Sequence, residues 1–485
     1  MKANRPDGLK DTTARLGTER LSKLFPRLSA PSMVSMVAIS LYYLADTFWL
    51  GRVSYDAIAA LTITFPFYYV VYSIGLGSGI GANALASRRF GERNIEATNH
   101  IAGQVFPLAA IFGIVFMIPS IFFARPLAGL LAAPPQIIDL TAQYLVYFGW
   151  GIPFLLFRLM TRNIFHASGD VIKPMIFTVV GAVANAALDP FLIFGWGPFP
   201  EMGIGGAALA TTISGGLAAA ISCYYLVGKK SVYRLKLHHL KPDLSIIAQI
   251  YRVGLPEVLM DVTESVVFLI FNQIVAGFGS VALAALGIAL RIADLAWIPV
   301  VGLAHALLPI VGFCFGARLW GRLWAAVRHG TLTVVVVLAV GTALLEIFAP
   351  QAIAIFNNSP ELLAIAVPGM RIFISAMVLI GAGIMFVITF QGLSKGWTAI
   401  CLSLARQLGL LLPALLILPR FMGLDGAWLA LPISDAGGAI IAGLWLYREY
   451  RLQKRSGIWD SAPVAEPVPA DPPGRDQKRT EDHCP

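Results

Sequence analysis

Charge is scarce in this sequence. Asp, Glu, Lys and Arg make up 13% of its 485 residues, while 57% are apolar. A soluble domain carries about 25% charged residues, since its surface must meet water. The shortage excludes an ordinary soluble enzyme and a disordered chain, and leaves a polytopic membrane protein. Cysteine is also sparse. Cys223, Cys314 and Cys401 lie in apolar stretches, Cys484 sits near the end, and no Cys-x-x-Cys pair occurs. Neither a disulfide framework nor a cysteine metal site follows. There is no GxxxxGK[ST] phosphate loop, so no ATP-driven site is expected. The first 28 residues are basic and polar and lack the apolar core and cleavage site of a removed signal peptide.

Long apolar runs take the place of what is missing. Twelve stretches of membrane-spanning length stand at about 29–51, 57–82, 99–124, 136–160, 171–196, 203–227, 248–277, 283–312, 329–350, 364–390, 397–419 and 425–448. Lipid offers no partner for open backbone groups, so each is expected to be a helix. With the N-terminus inside, 26 Lys and Arg fall in inside segments and only Arg52, Arg125 and Arg420 in outside loops. That bias predicts cytoplasmic termini and a multi-pass protein of the cell membrane. The net charge of +9 is therefore an orientation signal, and nucleic acid is not an expected partner.

The chain repeats itself. MGIGGAALATTIS at 202–214 matches MGLDGAWLALPIS at 422–434 in eight of thirteen positions, and Pro31 and Pro256 hold equivalent places in the first helix of each half. The offset spans six helices. An even number preserves direction across the membrane, so the halves are expected to be parallel repeats around a central cleft. The expected fold is an all-α polytopic membrane protein with twelve transmembrane helices in two six-helix bundles. Its expected divisions are a cytoplasmic N-terminal segment at 1–28, an N-lobe at 29–227, a cytoplasmic inter-lobe loop at 228–247, a C-lobe at 248–448 and a cytoplasmic disordered tail at 449–485. The prolines of the last segment, Pro463 to Pro473, suit an unpacked tail.

Acids at membrane depth are costly and call for an explanation. Asp46, Asp189 and Thr211 all fall about 8–12 Å below the outer surface, at 1.5 Å per residue. Asn185 precedes Asp189 by one turn and shares its face. Two carboxylates in one apolar place cannot both ionise cheaply, so the cluster is expected to bind a proton. The same oxygens suit a hard cation such as Na⁺. Pro31, Pro66 and Pro190 lie near these polar groups, where a missing N–H permits bending or frees a carbonyl; packing alone is the competing reading. In the seventh helix Glu257, Asp261 and Glu264 recur at i, i+4 and i+7, one face that should look into a cleft and attract cationic substrate. Arg371 and Arg406 are potential partners for these acids, and Arg291 and Asp294 suit an intrahelical pair. The aromatic run YLVYFGWGIPFLLF from Tyr144 offers either packing or a wall for flat cations. GLGSGIG at 75–81 lies in an apolar run, where small residues serve close helix packing. His238 and His239 stand in a basic loop without ligand spacing and read as solvated.

SLYYLADTFWLG with IAALTITFPF, NAALDP, GIGGAALATTIS and RIADLAWIPVVGLAHALLPIVGFCFGAR resemble, in order, helices 1 and 2, 5, 6 and 8 of the multidrug and toxic compound extrusion (MATE) transporters. The resemblance covers about 29–448. It implies H⁺- or Na⁺-driven export of lipophilic, cationic small molecules by alternating access, with no cofactor besides the coupling ion, no catalysis, and a monomer in the bilayer. In its DinF-like branch the ion-coupling residues map onto Asp46, Asn185, Asp189 and Thr211, and a helix-bending proline onto Pro31. The NorM-like branch carries C-lobe acids instead. One maps onto Glu264, but the other falls near Ile380, which is no acid. N-lobe coupling by H⁺ is the favoured expectation, with a Na⁺-coupled exporter or a flippase for lipid-linked substrates as alternatives.

Overall fold

The computed structural model describes residues 9–131, 133–228, 231–355, 359–456 and 459. Every element among them is a helix. The first half contains α1 (Leu9–Thr18), α2 (Leu21–Val53), α3 (Tyr55–Gly91), α4 (Ile95–Gly103), α5 (Val105–Phe122), α6 (Ala124–Leu130), α7 (Ile138–Ala167), α8 (Ile172–Phe194) and α9 (Ile204–Val227). A 3-10 turn at Leu237–Leu240 leads to the second half. That half contains α10 (Leu244–Ala276), α11 (Ser280–Gly316), α12 (Trp320–Ala354), α13 (Pro360–Ile374), α14 (Met377–Gly392), α15 (Gly396–Leu404), a π-helical stretch at Ala405–Leu411 and α16 (Leu412–Arg455).

By length and apolar composition ten helical runs can cross a membrane, or eleven when α13 and α14, bent by 41°, are taken as one crossing. The run Gly396–Arg455 counts once in that tally. Yet Arg406 and Asp435, 29 positions apart, touch at 2.8 Å. In a straight helix they would stand about 43 Å apart. The chain turns back at Gly423, whose φ of 60° and ψ of −138° are open to glycine but not to helix. The run is a hairpin of two antiparallel helices.

Two large apolar clusters form the interior. One joins Leu50 through Tyr233 of the first half with Ile250. The other is built from the second half, together with Leu16, Leu24, Phe25 and Leu28. The segment 1–28 was expected to be a polar lead-in. Instead Leu16, Leu24, Phe25 and Leu28 bury apolar side chains against the second half, because α1 and the start of α2 are amphipathic. Arg322 fastens α1 by donating from Nε to the Leu16 carbonyl at 2.9 Å and from Nη2 to the Glu19 carbonyl at 2.6 Å. Of the expected tail, α16 continues to Arg455 and Trp459 packs on Tyr450 at 5.7 Å; residues 460–485 lie outside the described residues.

Close approaches between the halves cluster toward the end that bears α1. The stripe at 75–81 serves this contact: a Cβ on Gly77 would stand 2.6 Å from the Gly254 carbonyl, and Ser78 Oγ meets the Tyr251 hydroxyl at 2.6 Å. Gly91 faces the Phe313 carbonyl in the same manner, while Gly302 faces the Met33 side chain and the Ser29 carbonyl. Small residues let the helix backbones touch where lipid gives no other driving force.

Candidate functional site

Two polar centres lie within the halves. In the first, α2 supplies Tyr42 and Asp46, α8 supplies Asn185 and Asp189, and α9 supplies Thr211. Asp189 and Asn185 are fully buried and Asp46 is 6% exposed. α8 continues through Pro190, so the proline does not break it, and Asn185 and Asp189 stay one turn apart on one face. Two settings of the Asn185 amide are compatible with its neighbours. In the better one Nδ2 donates to Asp46 Oδ1 at 3.1 Å while the amide oxygen accepts the Thr211 N–H at 3.2 Å. In the other, Nδ2 reaches Asp189 Oδ1 and Thr211 Oγ1 only at 3.4 and 3.5 Å. The Tyr42 hydroxyl meets Thr211 Oγ1 at 3.0 Å. The Asp46 and Asp189 carboxyls are electrostatic neighbours. An ionised carboxylate is an acceptor only, so a bond between the two needs a proton on one of them. The arrangement can hold and release a proton.

Tyr144, expected from the sequence either to pack or to form a wall for flat cations, stands beside this first centre and not in the cleft of the helix 7 acids. It stacks on Phe148 at 6.0 Å within the first half's core and has Asp46 and Asp189 as electrostatic neighbours. Its place on α7 determines this, since α7 packs among first-half helices. Pro31 lies inside an uninterrupted α2, its carbonyl accepting from Ser35 Oγ at 3.0 Å.

The second centre is a cavity of about 430 Å³ in the second half. The three acids at helical spacing, Glu257, Asp261 and Glu264, all line it, together with Arg406 and Asp435. Gln391 Nε2 donates to Glu257 Oε2 at 2.5 Å. The π-helical stretch carries Arg406 and Gln407 to the wall, and Arg406 Nη1 donates to Asp435 Oδ1 at 2.8 Å. Arg406 therefore serves Asp435 and not the α10 acids. Arg371 likewise turns to Glu346, at 3.6 Å. Both sequence pairings fail for one reason: chain reversal, at Gly423 for Arg406 and between α12 and α13 for Arg371, brings a nearer acid to each guanidinium. Four carboxyls against one guanidinium leave the cavity with an excess of acid. Ile380, near which the resemblance maps the second NorM-like acid, lines it too. The side chain of Asp294, and with it the expected pairing with Arg291, lies outside the described residues.

Sequence reading missed a polar belt where the halves meet. Asn83 and Arg162 are buried there, and the His166 and His305 rings approach to 4.9 Å across the junction. Arg162 had been counted as a loop charge, yet it is 4% exposed. The signal available was its place within α7, which runs unbroken to Ala167.

A multi-pass helical body whose two halves meet at one end, each with a polar centre in its interior, has the plan of a secondary transporter. The comparisons agree. A family model for MatE matches residues 31–191 and again 256–414. The chain belongs to the MatE family, whose members are transporters and not enzymes. A second model, for the lipid II flippase MurJ, matches residues 133–251. The chain is similar to the multidrug export protein MepA of Staphylococcus saprophyticus, with 26% identity over 420 residues, 86% of this chain and 92% of MepA. It is also 26% identical over 418 residues to an FAD transporter of Shewanella oneidensis, covering 86% of this chain and 92% of that one. A crystal structure of a MATE in complex with MaL6 superposes with a TM-score of 0.86 at 26% identity, covering 91% of this chain and 99% of that one.

Proposed function

We propose that this protein is an H⁺-coupled antiporter that exports lipophilic, cationic small molecules by alternating access between its halves, as a monomer of the cell membrane with twelve crossings and cytoplasmic termini. The observation that carries the coupling is the burial of two neighbouring carboxyls, Asp46 and Asp189, beside Asn185 and Thr211. A proton bound there neutralises one acid, changes what Tyr42 and Asn185 bond to, and biases the bend of α2 at Pro31. Export of drugs is supported by the likeness to MepA, and a cationic substrate by the acids of the second cavity. With the termini cytoplasmic, the contacts near α1 close the inner face, so the described state opens outward.

Transport of an organic cation into proteoliposomes, under separately imposed pH and Na⁺ gradients, tests the reading. Uptake that follows the pH gradient alone is expected. Uptake that follows Na⁺ alone assigns the same four residues to a sodium ion and overturns proton coupling. The match to the MurJ model favours a second reading, a flippase for lipid-linked substrates. Ion-independent movement of such a lipid, with no drug transport, would put it first.

A further inference from the structure

Outside both transport centres, α4 and the loop between the halves gather three imidazoles and a carboxylate. Glu96 and His100 stand one turn apart on α4, and His238 and His239 lie in the 3-10 turn. One ligand atom from each falls within 4.8 Å of all the others. The sequence suggested a solvated His239; instead it is fully buried, and Glu96, which meets its ring, stands 143 positions away.

Most of the backbone beneath is held by other residues. Gln104 is fully buried and holds the loop three times, donating to the His239 carbonyl at 3.1 Å and the Lys241 carbonyl at 2.9 Å and accepting from the Asp243 N–H at 2.9 Å. Gly103 leaves no side chain against the His239 carbonyl. Asn94 caps α4 by accepting from the Ala97 N–H at 3.0 Å, which fixes the turn that carries Glu96.

Two distances separate the four groups by role. His239 Nδ1 accepts the Lys236 N–H at 3.0 Å. A neutral ring then carries its proton on Nε2, and Nε2 lies 2.8 Å from Glu96 Oε1, a normal donor distance. His239 is thus already committed on both nitrogens and can orient the carboxylate but not ligate. His238 Nε2 stands 3.3 Å from the same Oε1. Two ligands at about 2.0–2.1 Å from a tetrahedral zinc are separated by about 3.3–3.4 Å. His100, whose ring lies 5.3 Å from that of His238, closes the group.

We propose that Glu96, His100 and His238 form a binding site for a divalent transition ion of the zinc class, with His239 as a positioning residue for Glu96. Two neutral imidazoles and a carboxylate are the donors such an ion takes, and a carboxylate held by a second imidazole is the usual outer support. Three protein ligands leave one position open. The ion ties the loop that leads into α10 onto α4 of the first half. It is independent of the coupling ion, which concerns the other end of α2.

The test uses full-length, untagged protein in detergent, titrated calorimetrically with Zn²⁺ and, in parallel, with Co²⁺ followed by its visible d–d absorption. One equivalent is expected to bind, with Zn²⁺ raising the unfolding temperature. Glu96→Gln and His238→Ala should each weaken binding at least tenfold and lose that rise, while unfolding at the wild-type temperature without metal. His239→Ala should weaken binding about 10–100-fold while keeping the stoichiometry. No saturable uptake by the wild type overturns the proposal. So does wild-type affinity in the combined Glu96→Gln/His100→Ala/His238→Ala variant, since the ion would then sit elsewhere, and an equal loss of metal-free stability in every variant would reduce the group to a structural hydrogen-bond cluster.

Discussion

Asn185 bridges two helices by donating to Asp46 Oδ1 at 3.1 Å while its own oxygen takes the Thr211 N–H at 3.2 Å. One amide thus senses the charge on α2 and reports it to α9. An ionised Asp46 accepts that donor strongly, because charge-assisted bonds are about twice as strong as neutral ones. A protonated Asp46 accepts it weakly.

Asp46→Asn removes the titrating oxygen yet keeps the shape. The variant should express normally and lose proton-driven efflux by a factor of at least about ten, consistent with a contact worth at least about 1.4 kcal/mol in one state only. Asp46→Glu should recover part of it. Drug-resistance assays beside membrane immunoblots provide the measurement, and normal resistance in Asp46→Asn would remove Asp46 from the coupling path.

The fold was legible because its signals are local. Apolar length, basic loops and the 202–214 repeat need no three-dimensional information, and the depth argument that grouped Asp46, Asp189 and Thr211 needs only helix rise. The three α10 acids could be read as one face for the same reason, and they do share one cavity. What escaped depends on chain reversal. Arg406 finds Asp435 only because Gly423 turns the chain, and Arg371 finds Glu346 across an α12–α13 turn. Glu96 and His238 are joined by tertiary packing over 142 positions, which no spacing rule spans. Whether Tyr144 would pack or face a cationic cleft also depends on tertiary structure, and it stacks on Phe148 in the first half's core.

Gly77 and Gly254 set how closely the halves meet near α1. A Cβ on either would press on the backbone of the other, at 2.5–2.6 Å from a carbonyl oxygen, and backbone cannot yield as a flexible side chain can. Gly77→Leu should therefore disfavour the closed junction and shift the population toward the state open at that end. Spin labels placed across the junction, read by distance measurement in detergent, should report a longer mean separation. Unchanged separation in a folded Gly77→Leu protein would mean that α3 and α10 do not define the closed state.

The Arg406–Asp435 pair holds the hairpin of 396–455 together at the cavity wall. Its two side chains are 21% and 11% exposed, so each ion has given up most of its solvent. Removing one partner strands the other. In a fully buried pair that costs about 3–5 kcal/mol; partial exposure to the cavity reduces it here to about 1–3 kcal/mol. Asp435→Leu alone and Arg406→Met alone should each lower the unfolding temperature of the purified protein. The double variant should regain most of the loss, because two apolar side chains of similar size need no counter-charge. A double-mutant cycle on thermal unfolding measures this coupling directly. Strict additivity of the two losses would show that the pair does not couple, and that apolar packing around Gly437 and Leu410 holds the hairpin instead.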